Sequence, residues 1–153
     1  MMKIAIYGQN YTKESTQKAL EILVEVLLKH NVDILVESDF LSQQPADLQE
    51  NSALKTFTVL DKSFDLLISI GGDGTILRAI TYVRDLGIPI VGINTGRLGF
   101  LATIQTDEIE SALTEIFNGD YKISERTLLS VTTQPENTSI GETNFALNEI
   151  ALS

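Results

Sequence analysis

The segment Ser69-Ile70-Gly71-Gly72-Asp73-Gly74-Thr75 follows directly on the apolar run Leu66-Leu67-Ile68, and its residue types are the ones in this chain that can do chemistry. Three glycines within four positions remove the Cβ atoms that keep an anionic ligand off the backbone, and they permit the positive φ values of a tight turn. The N–H groups of such a turn can point at phosphate oxygens. After Thr75 the apolar residues Ile76, Leu77, Ile80 and Val83 fall at helical spacing, which predicts that the turn opens a helix whose N-terminus favours negative charge. Asp73 is the exception. A carboxylate among phosphates repels them, so its presence points to work on a hydroxyl or on a magnesium ion. The purely structural alternative is a glycine-rich β-to-α turn with Asp73 as helix N-cap. Neither G-x-x-x-x-G-K-[ST] nor a G-x-G-x-x-G after the first strand is present.

Composition narrows the ligand class. The chain has 153 residues, 43% hydrophobic and 21% charged, which is globular and long enough for a real core. Eleven basic residues against twenty-one acidic ones give a net charge of −10, which argues against a nucleic-acid surface. A small anionic ligand then needs local compensation from the helix N-terminus, from Mg²⁺, or from Arg78, Arg84 and Arg97. With no cysteine, disulfides and thiolate metal sites are out. The apolar region from Leu20 to Leu28 is interrupted by Glu21 and Glu25 and cannot span a bilayer, so a soluble cytoplasmic protein without a membrane partner is expected.

The elements that must position Asp73 read as strands alternating with helices. Ile4–Tyr7 is a first strand with Gly8-Gln9-Asn10 as its exit, a helix runs from about Thr12 to His30, and Val32–Val36 is a second strand. His30, at the helix C-terminus, fits a capping role better than catalysis. Residues Ser38 to Phe57 read as a loop with a short helix. Phe64–Ile70 is a third strand, followed by the glycine turn and a helix to about Leu86, which Gly87 stops; Ile88–Ile93 is a fourth strand. Asn94-Thr95-Gly96-Arg97-Leu98-Gly99-Phe100-Leu101 is another glycine-punctuated strand exit, in which composition alone favours a core role for Phe100. A last helix starts at Thr106-Asp107-Glu108 and ends at Asn118-Gly119. The spacing predicts an α/β fold: a three-layer, Rossmann-like parallel sheet with helices on both faces over residues 1–120, whose ligands bind at the carboxyl ends of the strands. From 121 to 153 the pattern turns antiparallel, with strand-like Tyr121–Thr133 and Phe145–Leu152, as the first strands of an incomplete all-β domain.

Taken together, Gly71-Gly72-Asp73-Gly74-Thr75, Asn94 to Leu101, and Asn148-Glu149-Ile150 resemble the NAD kinase family, and the Glu125-Arg126 pair is similar to it too. The first element alone is shared with diacylglycerol and sphingosine kinases and, as a close variant, with phosphofructokinases. The resemblance covers nearly the whole chain and the N-terminal half of a typical member. It implies phosphoryl transfer from ATP or inorganic polyphosphate to the 2′-hydroxyl of the adenosine ribose of NAD, with Mg²⁺. Asp73 would act on that hydroxyl, and Gly71, Gly72, Gly74 and Thr75 would hold diphosphate. Asn94 is assigned to the cofactor site, Phe100 to the border of the adenine pocket, and Asn148 and Glu149 to the ribose hydroxyls; no residue is assigned to a resident metal. Because neighbouring strand residues face opposite ways, a bend or bulge is expected at Asn148-Glu149.

The resemblance further implies a homo-oligomer, dimer or tetramer, in which a C-terminal β domain and a neighbouring subunit complete the pocket. On that ground residues 1–153 alone are expected to be inactive, and to self-associate through, or leave poorly ordered, the part after about 120. Two rivals remain: a lipid kinase of the diacylglycerol or sphingosine type, for which the charge of −10 offers no basic membrane patch, and a non-catalytic nucleotide-binding module.

Overall fold

A computed structural model of the chain describes residues 1–9, 13–97 and 99–120, with the backbone of 129–130 and 145–146. The strands β1 (Met2–Gly8), β2 (Val32–Glu37), β3 (Leu54–Phe57), β4 (Leu66–Gly71), β5 (Ile90–Asn94) and β6 (Ile104–Gln105) form one sheet in the order β3-β2-β1-β4-β5-β6. Every pair in it is parallel. Each residue of β4 is buried, as befits a strand covered on both faces at the middle of the sheet.

Alternation along the strands divides the core in two. Ile4, Ile6, Ile34, Val36, Ile68 and Ile70 face one side, where Leu20, Leu23 and Leu27 of α1 (Glu14–Leu28), Phe40 of α2 (Ser38–Ser42), Leu48 of α3 (Ala46–Gln49) and Leu113 cover them. Ala5, Tyr7, Leu35 and Leu67 face the other side, beneath Ala79 and Val83 of α4 (Asp73–Val83) and beneath Leu60 and Phe64 of the connection from β3 to β4. Leu113 belongs to α5 (Ile109–Phe117), which a 3-10 turn at Thr106–Glu108 introduces and Gly119, at φ 79°, follows. The expected parallel α/β sheet with helices on both faces is therefore found. The chain divides into two compact units, Met1–Tyr121 and Lys122–Ser153; in the second, β7 (Leu129–Ser130) pairs antiparallel with β8 (Phe145–Ala146). Among the described residues no helix is long and apolar enough to cross a membrane.

Several boundaries differ from the sequence reading, each for a local reason. The stretch read as a loop with a short helix holds two short helices and the edge strand β3, whose Lys55 and Thr56 are exposed and break the apolar pattern. The buried Glu37 carboxylate starts α2 by accepting the N–H groups of Asp39 and Phe40, at 3.2 and 2.8 Å. Helix α4 ends at Val83 rather than near Leu86, because Arg84 takes a positive φ of 51° while its N–H still bonds the Ile80 carbonyl at 2.8 Å. Gly87, at φ 73°, belongs to the turn beyond. His30 follows the end of α1, with its ring 4.4 Å from that of Phe117, on the side of the sheet away from the carboxyl ends of the strands.

One contact ties the sheet to the segment after β5. A Cβ at Gly92 would lie 2.5 Å from Ile76 Cδ1 and 2.8 Å from the Cα of Ala102, so α4, β5 and Ala102 meet only because this position is glycine. Gly92→Ala is expected to destabilise the complete protein by about 1–3 kcal/mol, the scale of overpacking a core. Denaturant unfolding checks it, and an unchanged midpoint contradicts it.

Candidate active site

The strand order reverses between β1 and β4, whose connections leave in opposite directions, and in such sheets the crevice at that point takes ligands. Here the ends of β1, β4 and β5 converge. Gly71 pairs with Asn94, Thr95 N–H donates to the Gly71 carbonyl at 2.9 Å, and Gln9 N–H donates to the Ile70 carbonyl at 3.4 Å.

The glycines of the turn have different tasks. Gly71 has φ 153°, and a Cβ on it would run into the Thr75 hydroxyl, so the fold itself demands glycine there. Gly72 is extended, at φ −142°, and is the N-cap of α4; its carbonyl accepts the N–H groups of Thr75 and Ile76 at 3.1 and 3.3 Å. At Gly72 and Gly74 a Cβ would meet open space, and neither has a positive φ. Among the described residues nothing requires glycine at either position, so of the two reasons for glycine in this turn, a closely approaching ligand and a positive φ, the second does not apply to them. The buried Thr75 hydroxyl lies 3.4 Å from the Gly72 nitrogen and donates to Gln9 Oε1 at 3.1 Å. Gln9 is thus a site residue that the motif reading passed over as a strand exit. The signal was topological, since a switch-point crevice is lined by the ends of both flanking strands.

Asp73 is the first residue of α4 and does not cap it. Its carboxylate reaches across to the segment after β5: Oδ2 accepts the Phe100 N–H, and Oδ1 accepts those of Leu101 and Ala102, each at 2.9 Å. A Cβ at Gly99 would press on this carboxylate, 2.6 Å from Cγ, so Gly99 lets the backbone close around the charge. The bonds from Ala102, Phe100 and Leu101, in that order, hold Asp73 below the usual carboxylate pKa, against a smaller opposing effect of desolvation.

The segment is also braced from inside. Asn94 is buried; its amide donates to the carbonyls of Arg97 (2.7 Å) and Ala102 (3.1 Å), and its Oδ1 accepts Gly96 N–H at 2.9 Å. Both amide hydrogens of Asn94 are thus spent on the loop, as a buried amide requires, and an acceptor position on Oδ1 is what it could offer the expected cofactor. Phe100 is 95% exposed and not a core residue, since its backbone is turned inward onto Asp73. Of the three expected cations, Arg84 is at the wrong end of α4, about 16 Å from Asp73 at the helical rise. Arg78 and Arg97 are exposed, the latter within the braced loop. Asn148 and Glu149, with the bend expected there, lie outside the described residues. Among the described residues no group of three or more His, Cys, Asp or Glu could hold a metal ion.

Comparison with known proteins finds relatives of this chain. The family model described as the ATP-NAD kinase N-terminal domain matches residues 4–121. The chain is 46% identical over 155 residues to an NAD kinase of Flavobacterium johnsoniae and 47% identical over 155 residues to one of Christiangramia forsetii, covering 99% of this chain and 52% of each relative. It spans about half the length of these curated relatives. Among solved structures, yeast NADH kinase complexed with NADH superposes with a TM-score of 0.65 at 22% identity, over 85% of this chain and 42% of that one, which shows a shared fold. The match over residues 4–121 settles the family: the chain belongs to the NAD kinase family and carries its N-terminal domain.

Proposed function

We propose that the complete protein transfers the γ-phosphoryl group of ATP, or a phosphoryl group of inorganic polyphosphate, to the 2′-hydroxyl of the adenosine ribose of NAD, forming NADP. The observation that carries this reading is the state of the Asp73 carboxylate. Each carboxylate oxygen can accept about two hydrogen bonds. Oδ1 has both, from Leu101 and Ala102, whereas Oδ2 has one, from Phe100. Among the described residues a single acceptor position is left on Oδ2, at the carboxyl ends of the strands. A ribose hydroxyl can donate there while its oxygen attacks phosphorus in line; the new P–O bond forms as the bond to the leaving phosphate oxygen breaks, and the hydroxyl proton leaves by way of Oδ2.

With its pKa lowered, Asp73 is a weak proton acceptor and a good orienting group. That suits phosphoryl transfer, in which positioning and charge neutralisation carry most of the catalysis and the hydroxyl need not ionise early. The turn's N–H groups and the start of α4 face the donor's negative charge. Mg²⁺, which neutralises charge on the transferring group, fits as a companion of the donor's phosphates, since such ions are held by one or two carboxylates plus phosphate oxygens. We assign the protein to the cytoplasm and to a homo-oligomer, as its family likeness implies.

Asp73→Asn in the complete protein is expected to lower kcat by roughly two or more orders of magnitude while the protein still folds. Near-normal turnover in a coupled NADP-forming assay contradicts the role. The ratio of wild-type to Asn-variant kcat/KM is expected to stay constant between about pH 5 and 8, because a carboxylate whose pKa is depressed below about 3.9 remains ionised throughout. Its contribution is present at these pH values and lost only as pH falls through the depressed pKa; a ratio that titrates near neutrality contradicts the assignment. For the glycines, Gly74→Ala should weaken ATP binding with melting temperature unchanged or raised, since alanine suits an early helical position better. Gly71→Ala should instead destabilise by about 1 kcal/mol or more. Calorimetric titration and thermal melts separate the two, and an unchanged ATP affinity for Gly74→Ala contradicts a phosphate cradle.

A further inference from the structure

We propose that Asp73 is also a positioning residue: its carboxylate ties the segment from Gly99 to Ala102 to the start of α4 and thereby sets where the Phe100 ring stands when the nucleotide arrives. The identity of that nucleotide rests on the phosphoryl-transfer reading; the tie itself does not.

The Phe100 ring is 95% exposed, so side-chain packing within this unit does not place it, and only the backbone can. At one end that backbone is braced by Asn94, which binds Gly96 N–H and the Arg97 carbonyl. At the other end Ala102 is buried against Gly92, with its carbonyl on the Asn94 amide. Between these anchors, the N–H groups of Phe100 and Leu101 end on Asp73. Gly99 supplies the close approach, since any side chain there would occupy the carboxylate's place. Bonds to an ionised acceptor are stronger than neutral ones, so one side chain on α4 holds a loop twenty-seven to twenty-nine residues away in sequence.

Substitution separates tie from chemistry. An asparagine at 73 keeps one oxygen, which can retain Leu101 and Ala102, but sets its NH₂ against the Phe100 N–H, donor against donor. Gly99→Ala does the reverse: the carboxylate stays, and the new Cβ pushes the loop off it.

The test is amide hydrogen exchange on the complete protein without ligand, read at residues 100–102, together with steady-state kinetics for NAD. In Asp73→Asn the Phe100 amide should exchange about tenfold faster or more, with smaller changes at Leu101 and Ala102. In Gly99→Ala all of these amides should exchange faster, and KM for NAD should rise about tenfold while kcat falls less than in Asp73→Asn. Exchange at Phe100 within twofold of wild type in Asp73→Asn overturns the tie, and the isosteric asparagine keeps this outcome readable if Gly99→Ala fails to fold. Lost turnover with unchanged exchange refutes the tie and spares the catalytic role; faster exchange with near-normal turnover does the opposite.

Discussion

A carboxylate at the start of a helix usually serves that helix. Asp73 does not: its oxygens take the N–H groups of Phe100, Leu101 and Ala102, and this set of charge-assisted bonds joins the end of β4, the start of α4 and the exit of β5. Almost every special residue nearby can be understood as making room for it or bracing it. Gly99 has no Cβ so that the backbone can close on the charge, and Gly92 has none so that Ala102 can sit on the sheet. Asn94 turns its amide inward to hold the loop that carries the donors.

The same bonds set the chemistry available. Three N–H groups stabilise the ionised form, which lowers the basicity of Asp73 but guarantees its charge and its direction. One acceptor position on Oδ2 has no donor among the described residues. Gly72 and Gly74 flank Asp73 in the chain with open space where side chains would be, although neither backbone conformation requires glycine. Among the described residues, the fold gives no reason for glycine at those two positions.

Much of this was legible in the sequence because it rests on local pattern. The unbroken apolar run of β4, the glycine turn and the 3.6-residue period of α4 are visible without coordinates, and so is the strand–helix alternation that puts the turn at the carboxyl edge. What escaped depends on contacts distant in sequence. Nothing local distinguishes Gly71, which the fold needs, from Gly74, which it does not; the difference is the Thr75 hydroxyl lying over one of them. Gln9 gains its place only through pairing of β1 with β4. Asn94 turns inward and the Phe100 ring outward, against the core role that composition favoured for Phe100, because the loop is organised around an anion that enters from another element. The edge strands β3 and β6 are too short to show a period, and the helix stop at Arg84 uses a residue that propensity would not choose.

The most direct measurement is a crystal structure of the complete protein with NAD bound, read at one distance. The account places the 2′-oxygen of the adenosine ribose about 2.6–3.2 Å from Asp73 Oδ2, with the Phe100 N–H still on that same oxygen. A ribose whose 2′-oxygen lies beyond hydrogen-bond reach of Asp73, with the carboxylate still closed on its backbone donors, would contradict it.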